Sequence, residues 1–218
     1  MEAKNNKWRR SATNDFWSGI GPGDHFVQIY DDDRSYMNLL EGFVVSGFAS
    51  NDCVTVIATE EHLHALEDRL RFKGYNVFDL KLQDQYVALN ARETLSEFMI
   101  TNWPDEVLFR HLINRHTITA RARKRNVRVF GEMGALLWAH GNIGATVQLE
   151  HLWNKICQIE ILSLFCAYPR NIIPQSALES ILDICESESK MIKVPEDSPN
   201  EILYKEIQSR SKTRQKAS

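Results

Sequence analysis

From residue 24 onward, short apolar runs alternate with stretches whose hydrophobic positions recur every three to four residues. His25-Phe26-Val27-Gln28-Ile29-Tyr30 reads as a first strand, set off by the breakers Gly19, Gly21, Pro22 and Gly23. Asp31, Asp32 and Asp33 supply capping carboxylates, and Tyr36, Leu39, Leu40, Phe43, Val44 and Gly47 share one face of a helix over 33–49. The unit then repeats. Cys53 to Ala58 is a β-branched apolar run, Thr59 a cap, and Leu63, Leu66 and Leu70 the inner face of a helix that Gly74 ends. Tyr86 to Leu89 makes a third strand, followed by a helix carrying Leu95, Phe98 and Met99. Pro104 is placed in the first turn of a long helix with Phe109, Leu112, Ile113, His116 and Ala120 on its inner stripe. Val127 to Phe130 is the next strand. A short helix follows Gly131-Glu132 and ends near Gly141, and a second helix carries Val147, Leu149, Leu152, Trp153 and Ile156. The last core strand is read from Ile161 to Ala167, with another helix over 171–186.

Strands that are apolar throughout are buried on both faces, and their alternation with helices predicts a mainly parallel sheet. The expected fold is therefore α/β, three-layered, with helices on both faces of a central sheet. Residues 1–23 read as an N-terminal arm, 24–195 as the folded domain and 196–218 as a polar, basic tail, exposed or frayed from Lys205 on.

Composition narrows the class. The 218 residues, 43% hydrophobic and 25% charged, suit one globular domain with extensions. No apolar segment follows the charged N-terminus and none is long enough to span a bilayer, so a soluble, cytoplasmic protein without membrane contact is expected. Cys53, Cys157, Cys166 and Cys185 form no C-x-x-C pair, and Cys53 and Cys166 read as small buried hydrophobes. A net charge of −3 gives no support to direct nucleic-acid binding. One interval is strongly basic: 107–131 has no acid but holds Arg110, Arg115, Arg121, Arg123, Lys124, Arg125 and Arg128. A helix face balanced by acids in space is the expected reading, ahead of an anion-binding surface.

In a parallel sheet, ligands bind beyond the carboxyl ends of the strands. That rule selects Tyr30 and Asp31, Thr59 and His62, Asn90, Gly131 and Glu132, and Tyr168. The loop after the first strand is Tyr-Asp-Asp-Asp-Arg-Ser-Tyr, whose carboxylates would repel a triphosphate that G-x-x-x-x-G-K-[ST] would cradle. Neither a dinucleotide glycine turn nor a nucleophile elbow is present, so a binding protein is expected and not an enzyme. Histidine spacing signals no metal, although an imidazole–carboxylate site could assemble from His25, Glu132 or Glu150. Trp138 and Trp153 lie on apolar helix faces and read as core. Glu132 and Glu150, set within or beside apolar segments, need partners or a ligand. Glu132 is expected to be buried and bonded to a basic residue or to the helix N-terminus after Gly131, and Glu150 to meet an arginine of 110–128 or His25. The period of two groups Gln28 and Tyr30 with Phe26, and His25 with Val27 and Ile29. At ~3.3 Å per residue, His25 lies about 16 Å from Tyr30 and reads as a structural anchor.

Several segments, in order, resemble one family: His25-x-x-Gln28-x-Tyr30, Ala58-Thr59-x-x-His62, Phe130-Gly131-Glu132-Met133 with Leu136-Leu137-Trp138, Gly141-Asn142, Leu149-Glu150-x-Leu152-Trp153-Asn154 and Cys166-Ala167-Tyr168-Pro169. The chain is similar over about 24–195 to the MEDS family, the sensory domain of methanogens, methylotrophs and the regulator DcmR. The resemblance implies a RecA-like fold that has lost its phosphate loop. It implies a sensory role with a small organic ligand, upstream of a histidine kinase or transcription regulator, and no catalytic residue or cofactor. Asn90-Ala91 stands where the family commonly has Asp-Ala, which removes a charge from the presumed site. The residues before the first strand are too few for the DNA-binding module of DcmR-type regulators, so a stand-alone sensor is expected, with a second copy of itself, as a homo-oligomer, among its candidate partners. The candidate ligand set is Gln28, Tyr30, Thr59, His62, Glu132, Glu150 and Tyr168, and the alternative function is a protein-interaction module on a degenerate ATPase fold without a small ligand.

Overall fold

The computed structural model describes residues 7–172 and 189–206. The chain begins with β1 (Arg9–Ala12) and α1 (Thr13–Ser18), then β2 (His25–Tyr30), α2 (Asp33–Ala49), β3 (Cys53–Ala58), α3 (Glu60–Phe72), α4 (Val77–Leu82) and β4 (Tyr86–Asn90). It continues through α5 (Ala91–Phe98), a small hairpin of β5 (Met99–Ile100) and β6 (Trp103–Pro104), α6 (Glu106–Ala122) and β7 (Val127–Gly131). After α7 (Met133–Ala139), α8 (Ile143–Glu160) and β8 (Ser163–Pro169), a 3-10 turn at Arg170–Ile172 ends that stretch, and β9 (Ser189–Lys193) and β10 (Glu201–Glu206) complete the sheet.

The main sheet has eight strands in the order β1-β10-β9-β2-β8-β7-β3-β4. From β9 to β4 all pairings are parallel, while β1 and β10 add an antiparallel edge. Two cores flank it, as the alternating pattern requires. Phe26, Phe43, Val56, Leu66, Phe130 and Phe165 pack under α1, α2 and α3 on one face. Val27, Phe109, Val129, Trp138, Leu149, Trp153 and Leu164 pack under the α5–α8 layer on the other. The α/β fold with a large, mostly parallel sheet between helix layers is thus as expected.

Several local readings are corrected. The arm at 9–18 is structured: β1 pairs with β10, and Trp17 is fully buried against Phe26 and Phe43. Pro104 does not enter the long helix; it sits in β6, and Asp105 caps α6 by accepting from Leu108 N. The strand read at 161–167 begins two residues later because Ile161 takes a left-handed conformation, φ 51°. It is not the last strand, and Lys205 and Glu206, assigned to the tail, end β10. The helix read at 171–186 falls largely outside the described residues, as does the tail from 207.

The basic interval is balanced in space. Arg115 pairs with Glu97, Arg121 with Glu160, Arg123 with Asp84 and Arg128 with Asp52. Trp138 and Trp153 are both core residues, the latter edge-on to Phe109 at 4.8 Å between ring centres.

Candidate functional site

The chain leaves β3 into α3 on one face of the sheet and leaves the neighbouring β7 into α7 on the other. Adjacent strands whose connections diverge in this way open a crevice at their carboxyl ends. Glu132 stands in it. Its backbone N–H still follows the ladder, donating to Ile57 O at 2.9 Å, but its side chain turns away from its own helix toward α3. Oε2 accepts from Thr59 N–H at 2.9 Å, and Oε1 lies 2.8 Å from His62 Nδ1. Thr59 is the cap of α3, so the carboxylate binds the positive end of that helix while the Thr59 hydroxyl accepts from His62 N–H. Glu132 is 4% exposed. The expectation of a buried, partnered carboxylate holds, but the helix end it meets is that of α3 and not of α7.

Electrostatics follow from this contact. Burial works to lower the pKa of His62, yet the hydrogen bond and negative charge of Glu132, with Asp33 and Glu61 behind, raise it above its ordinary value. Tyr36 stacks against His62 at 4.6 Å and against Tyr30 at 4.8 Å. Burial first, then the charges of Glu132 and Asp33, hold both phenols protonated well above their usual range. Beside this cluster lies a cleft of ≈ 270 Å³, lined by Tyr30, Asp31, Asp33 and Glu132, by Ala135, Leu136 and Ala139 of α7, and by Pro169 and Asn171. Leu136 also borders a larger groove, ≈ 660 Å³, between α5 and α7.

The loop where a phosphate would sit is otherwise engaged. Asp32 caps α2, accepting from Ser35 N–H at 2.8 Å, and Asp31 pairs with Arg170. A carboxylate thus occupies the helix N-terminus that would have met a phosphate. Mg-ATP is expected to bind no better than about millimolar; low-micromolar affinity by calorimetry would contradict this.

Glu150 and Tyr168 belong elsewhere. They lie on the opposite face of the sheet, in a buried cluster with His25 and Cys166. The Tyr168 hydroxyl donates to Glu150 Oε1, and His25 Nε2 is 4.0 Å from Glu150 Oε2. His25 Nδ1 is fixed by Asn154 Oδ1 at 3.0 Å and Ser189 Oγ at 3.1 Å. Burial drives the Glu150 pKa up to about 7, against the opposing hydrogen bonds from Tyr168 and Cys166. Burial likewise lowers the His25 pKa to about 4, so the ring is neutral. Gly134 makes this arrangement possible, since a Cβ there would collide with the Tyr168 hydroxyl.

The seven candidate residues therefore divide three ways. Tyr30 and Glu132 line the cleft, with Thr59 and His62 bound to Glu132 behind it. Glu150 and Tyr168 form the second cluster. Gln28 lies mid-strand, 1% exposed, and does not line the cleft. Asn90, also at a strand end, is spent on capping α5 through the Arg92 and Glu93 N–H groups. Asp33 and Asn154, read from the sequence only as a loop carboxylate and as part of the family-like segment, contribute as well, and Asn171, which carries no sequence signal, lines the cleft.

The family model of the MEthanogen/methylotroph, DcmR Sensory domain, MEDS, matches residues 24–184. This chain belongs to the MEDS family. Among solved structures, the MEDS chain is similar to the flagellar accessory protein FlaH from Methanocaldococcus jannaschii, with a TM-score of 0.53 at 11% identity over 90% of this chain and 84% of that one. At that identity the likeness shows the fold alone, which is RecA-like. No curated protein matches the MEDS sequence. Among its described residues, no helix is long and apolar enough to cross a membrane.

Proposed function

We propose that this MEDS chain is a non-catalytic sensory domain that takes a small organic molecule into the strand-end cleft and passes its occupancy to a signalling partner. The observation that carries the reading is the cleft's composition and position. It sits beyond the sheet's carboxyl ends, and two of its lining residues, Tyr30 and Glu132, are backed by Tyr36, which stacks on Tyr30, and by His62, which is bonded to Glu132. A volume of ≈ 270 Å³ is below the ~300–1,000 Å³ of drug-sized sites, which favours a compound of a few heavy atoms. Asp31, Asp33 and Glu132 give the wall acceptor oxygens, and although Arg170 offsets Asp31 and His62 offsets Glu132, the three carboxylates favour a donor-rich guest, a small amine or alcohol, over a carboxylate or phosphate. The family's description as a sensory domain of methanogens and methylotrophs agrees with a compound of that size. Glu132, already committed to the α3 N-terminus and to His62, could transmit occupancy to α3. A histidine kinase or transcription regulator is the partner class this reading implies.

Thermal-shift screening with small amines, alcohols, aldehydes and carboxylates tests it. A ligand that binds only the native state adds ~2.7 kcal/mol at 100 times its Kd. For a chain of this size that is a rise of roughly 5–10 °C in Tm. Tyr30→Phe keeps the ring on Tyr36 but removes the hydroxyl at the cleft. It is expected to reduce the ligand-induced shift by more than half while changing unliganded stability by less than about 1 kcal/mol. A panel without any shift, or a Tyr30→Phe response equal to wild type, would remove the cleft as the site.

A further inference from the structure

The buried cluster on the α8 face has a composition that the sensory reading does not use. It brings together three donor atoms of different chemistry: an imidazole nitrogen of His25 at the start of β2, a carboxylate oxygen of Glu150 on α8, and the Sγ of Cys166 in β8. These lie within 4.8 Å of one another. All three residues are buried, at 4%, 1% and 1% exposure. Among the described residues, His25 Nε2 and Glu150 Oε2 have no hydrogen-bond partner, and they face each other at 4.0 Å. Glu150 is hydrogen-bonded by Tyr168 and Cys166, yet its Oε2 and the His25 Nε2 stay buried without a partner of their own, and two such orphaned atoms beside a thiol mark a place where a partner is missing.

The surroundings orient these donors. His25 has its Nδ1 held by the amide oxygen of Asn154. In the neutral ring, a proton on Nδ1 directed at Asn154 leaves the Nε2 lone pair facing Glu150 and Cys166, as an outer hydrogen bond fixes a metal-bound histidine. Glu150 has its other oxygen held by the Tyr168 hydroxyl, leaving Oε2 to the centre. Gly134, where any side chain would strike Tyr168 and crowd Glu150, keeps the α7 side of the cluster open.

We propose that His25, Glu150 and Cys166 bind one divalent transition-metal ion of the zinc type, with a water as the fourth ligand and with the Cys166 thiol proton, and any proton on Glu150, released to solvent as the ion enters. A nitrogen, sulfur and oxygen set suits zinc or cobalt, whereas magnesium and calcium take oxygen sets. Metal–donor bonds of roughly 2.0–2.3 Å require the donors to close by about 1 Å. The ion ties β2, β8 and α8 together beneath the sheet. Tyr168 and Asn154 are positioning residues, each acting through the ligand it touches.

The test uses the full chain expressed in medium supplemented with zinc, and separately with cobalt, so that the ion is present during folding. One equivalent of metal per chain by elemental analysis is expected. The cobalt protein should show a thiolate-to-cobalt absorption band in the near ultraviolet and tetrahedral bands in the visible. Cys166→Ala should abolish the thiolate band, and Glu150→Gln, which keeps the shape, should weaken metal retention at least tenfold against a chelator. Cys157→Ala is the control, because that thiol lies on the same helix and feels the Glu150 charge without belonging to the cluster; it should leave the band in place. Wild-type protein that folds with less than about a tenth of an equivalent would overturn the proposal; Glu150 and His25 would then share a proton in a direct hydrogen bond. A thiolate band that survives Cys166→Ala would overturn it as well. If Cys166→Ala does not fold, the wild-type stoichiometry and band still decide. Failure here leaves the strand-end cleft untouched, since none of His25, Glu150 and Cys166 lines it.

Discussion

Arg128→Met is expected to destabilise the protein by about 3–5 kcal/mol, the cost of stranding one member of a buried ion pair. Arg128 lies in β7 with its side chain 3% exposed, and its Nε donates to Asp52 Oδ2 at 2.7 Å. Its Nη1 donates to the Trp17 carbonyl at 3.2 Å, and its guanidinium lies over the Phe43 ring at 5.7 Å. Removal leaves the Asp52 carboxylate buried with Asn126 Nδ2, at 3.2 Å, as its remaining side-chain donor among the described residues, and takes one donor from the Trp17 carbonyl. Methionine fills most of the volume, so the loss reports charge and hydrogen bonding more than a cavity. Equilibrium denaturation should show it as a lower midpoint, and calorimetry as a fall of roughly 6–20 °C in Tm. The double variant with Asp52→Asn should recover much of the loss, because the orphaned charge is then gone. A single-variant cost below about 1 kcal/mol, or a double variant as damaged as the single one, would refute the assignment. Since Arg128 also holds the end of α1 through Trp17, proteolysis near residue 18 should quicken in the variant.

That pair shows where sequence reasoning stopped. Arg128 appears in the sequence as one more cation in a basic interval, and its partner is 76 residues away, across the β3–β7 register. The central strands were legible because burial on both faces makes them unbroken apolar runs such as Cys53–Ala58. The edge strands were not. Ser-Lys-Met-Ile-Lys and Glu-Ile-Leu-Tyr-Lys-Glu interleave lysines and glutamates with their few apolar residues and are only partly buried, so they resemble a polar tail. Arg9–Ala12 and the six-residue α1 are too short for any period to register, although Trp17 anchors them.

The site was half legible for a related reason. The strand-end rule finds Tyr30, Thr59, His62 and Glu132 without knowledge of strand order. Which of them touch depends on β3 lying beside β7, a neighbour relation that skips over most of the intervening chain. Tyr168 was grouped with Tyr30 because both end strands. The register pairs Tyr168 with Ile29, one residue out of phase with Tyr30, and the period of two then puts it on the other face with Glu150. His25 was set apart from the ligand cleft, as the strand period requires, but α8 brings Glu150 to it.

Replacing Glu132 should have the second large effect, and on both stability and response. Glu132→Ala strands the Thr59 N–H at the start of α3 and removes the partner of His62, for a loss of about 1–3 kcal/mol. Glu132→Gln keeps an acceptor for Thr59 and should cost less, yet it removes the charge that holds His62 protonated. His62 has its folded pKa raised above ~6.5, so protonation favours the folded state. The stabilisation from the pair is accordingly full below about pH 6.5 and is lost as pH rises through the folded pKa. The stability gap between wild type and Glu132→Gln should therefore be widest below about pH 6.5 and narrow as pH rises through the raised folded pKa of His62. Asp33 and Glu61 remain to act on His62, so its pKa should fall in the variant without reaching the value set by burial alone. Histidine NMR titration reads that fall directly, and denaturation at several pH values reads the gap. Because Glu132 also walls the cleft, both variants should lose most of the ligand-induced Tm shift, with Gln retaining the fold in which to measure it. A gap that widens with rising pH, or an unchanged His62 titration in Glu132→Gln, would show that the carboxylate neither charges the imidazole nor couples the cleft to α3.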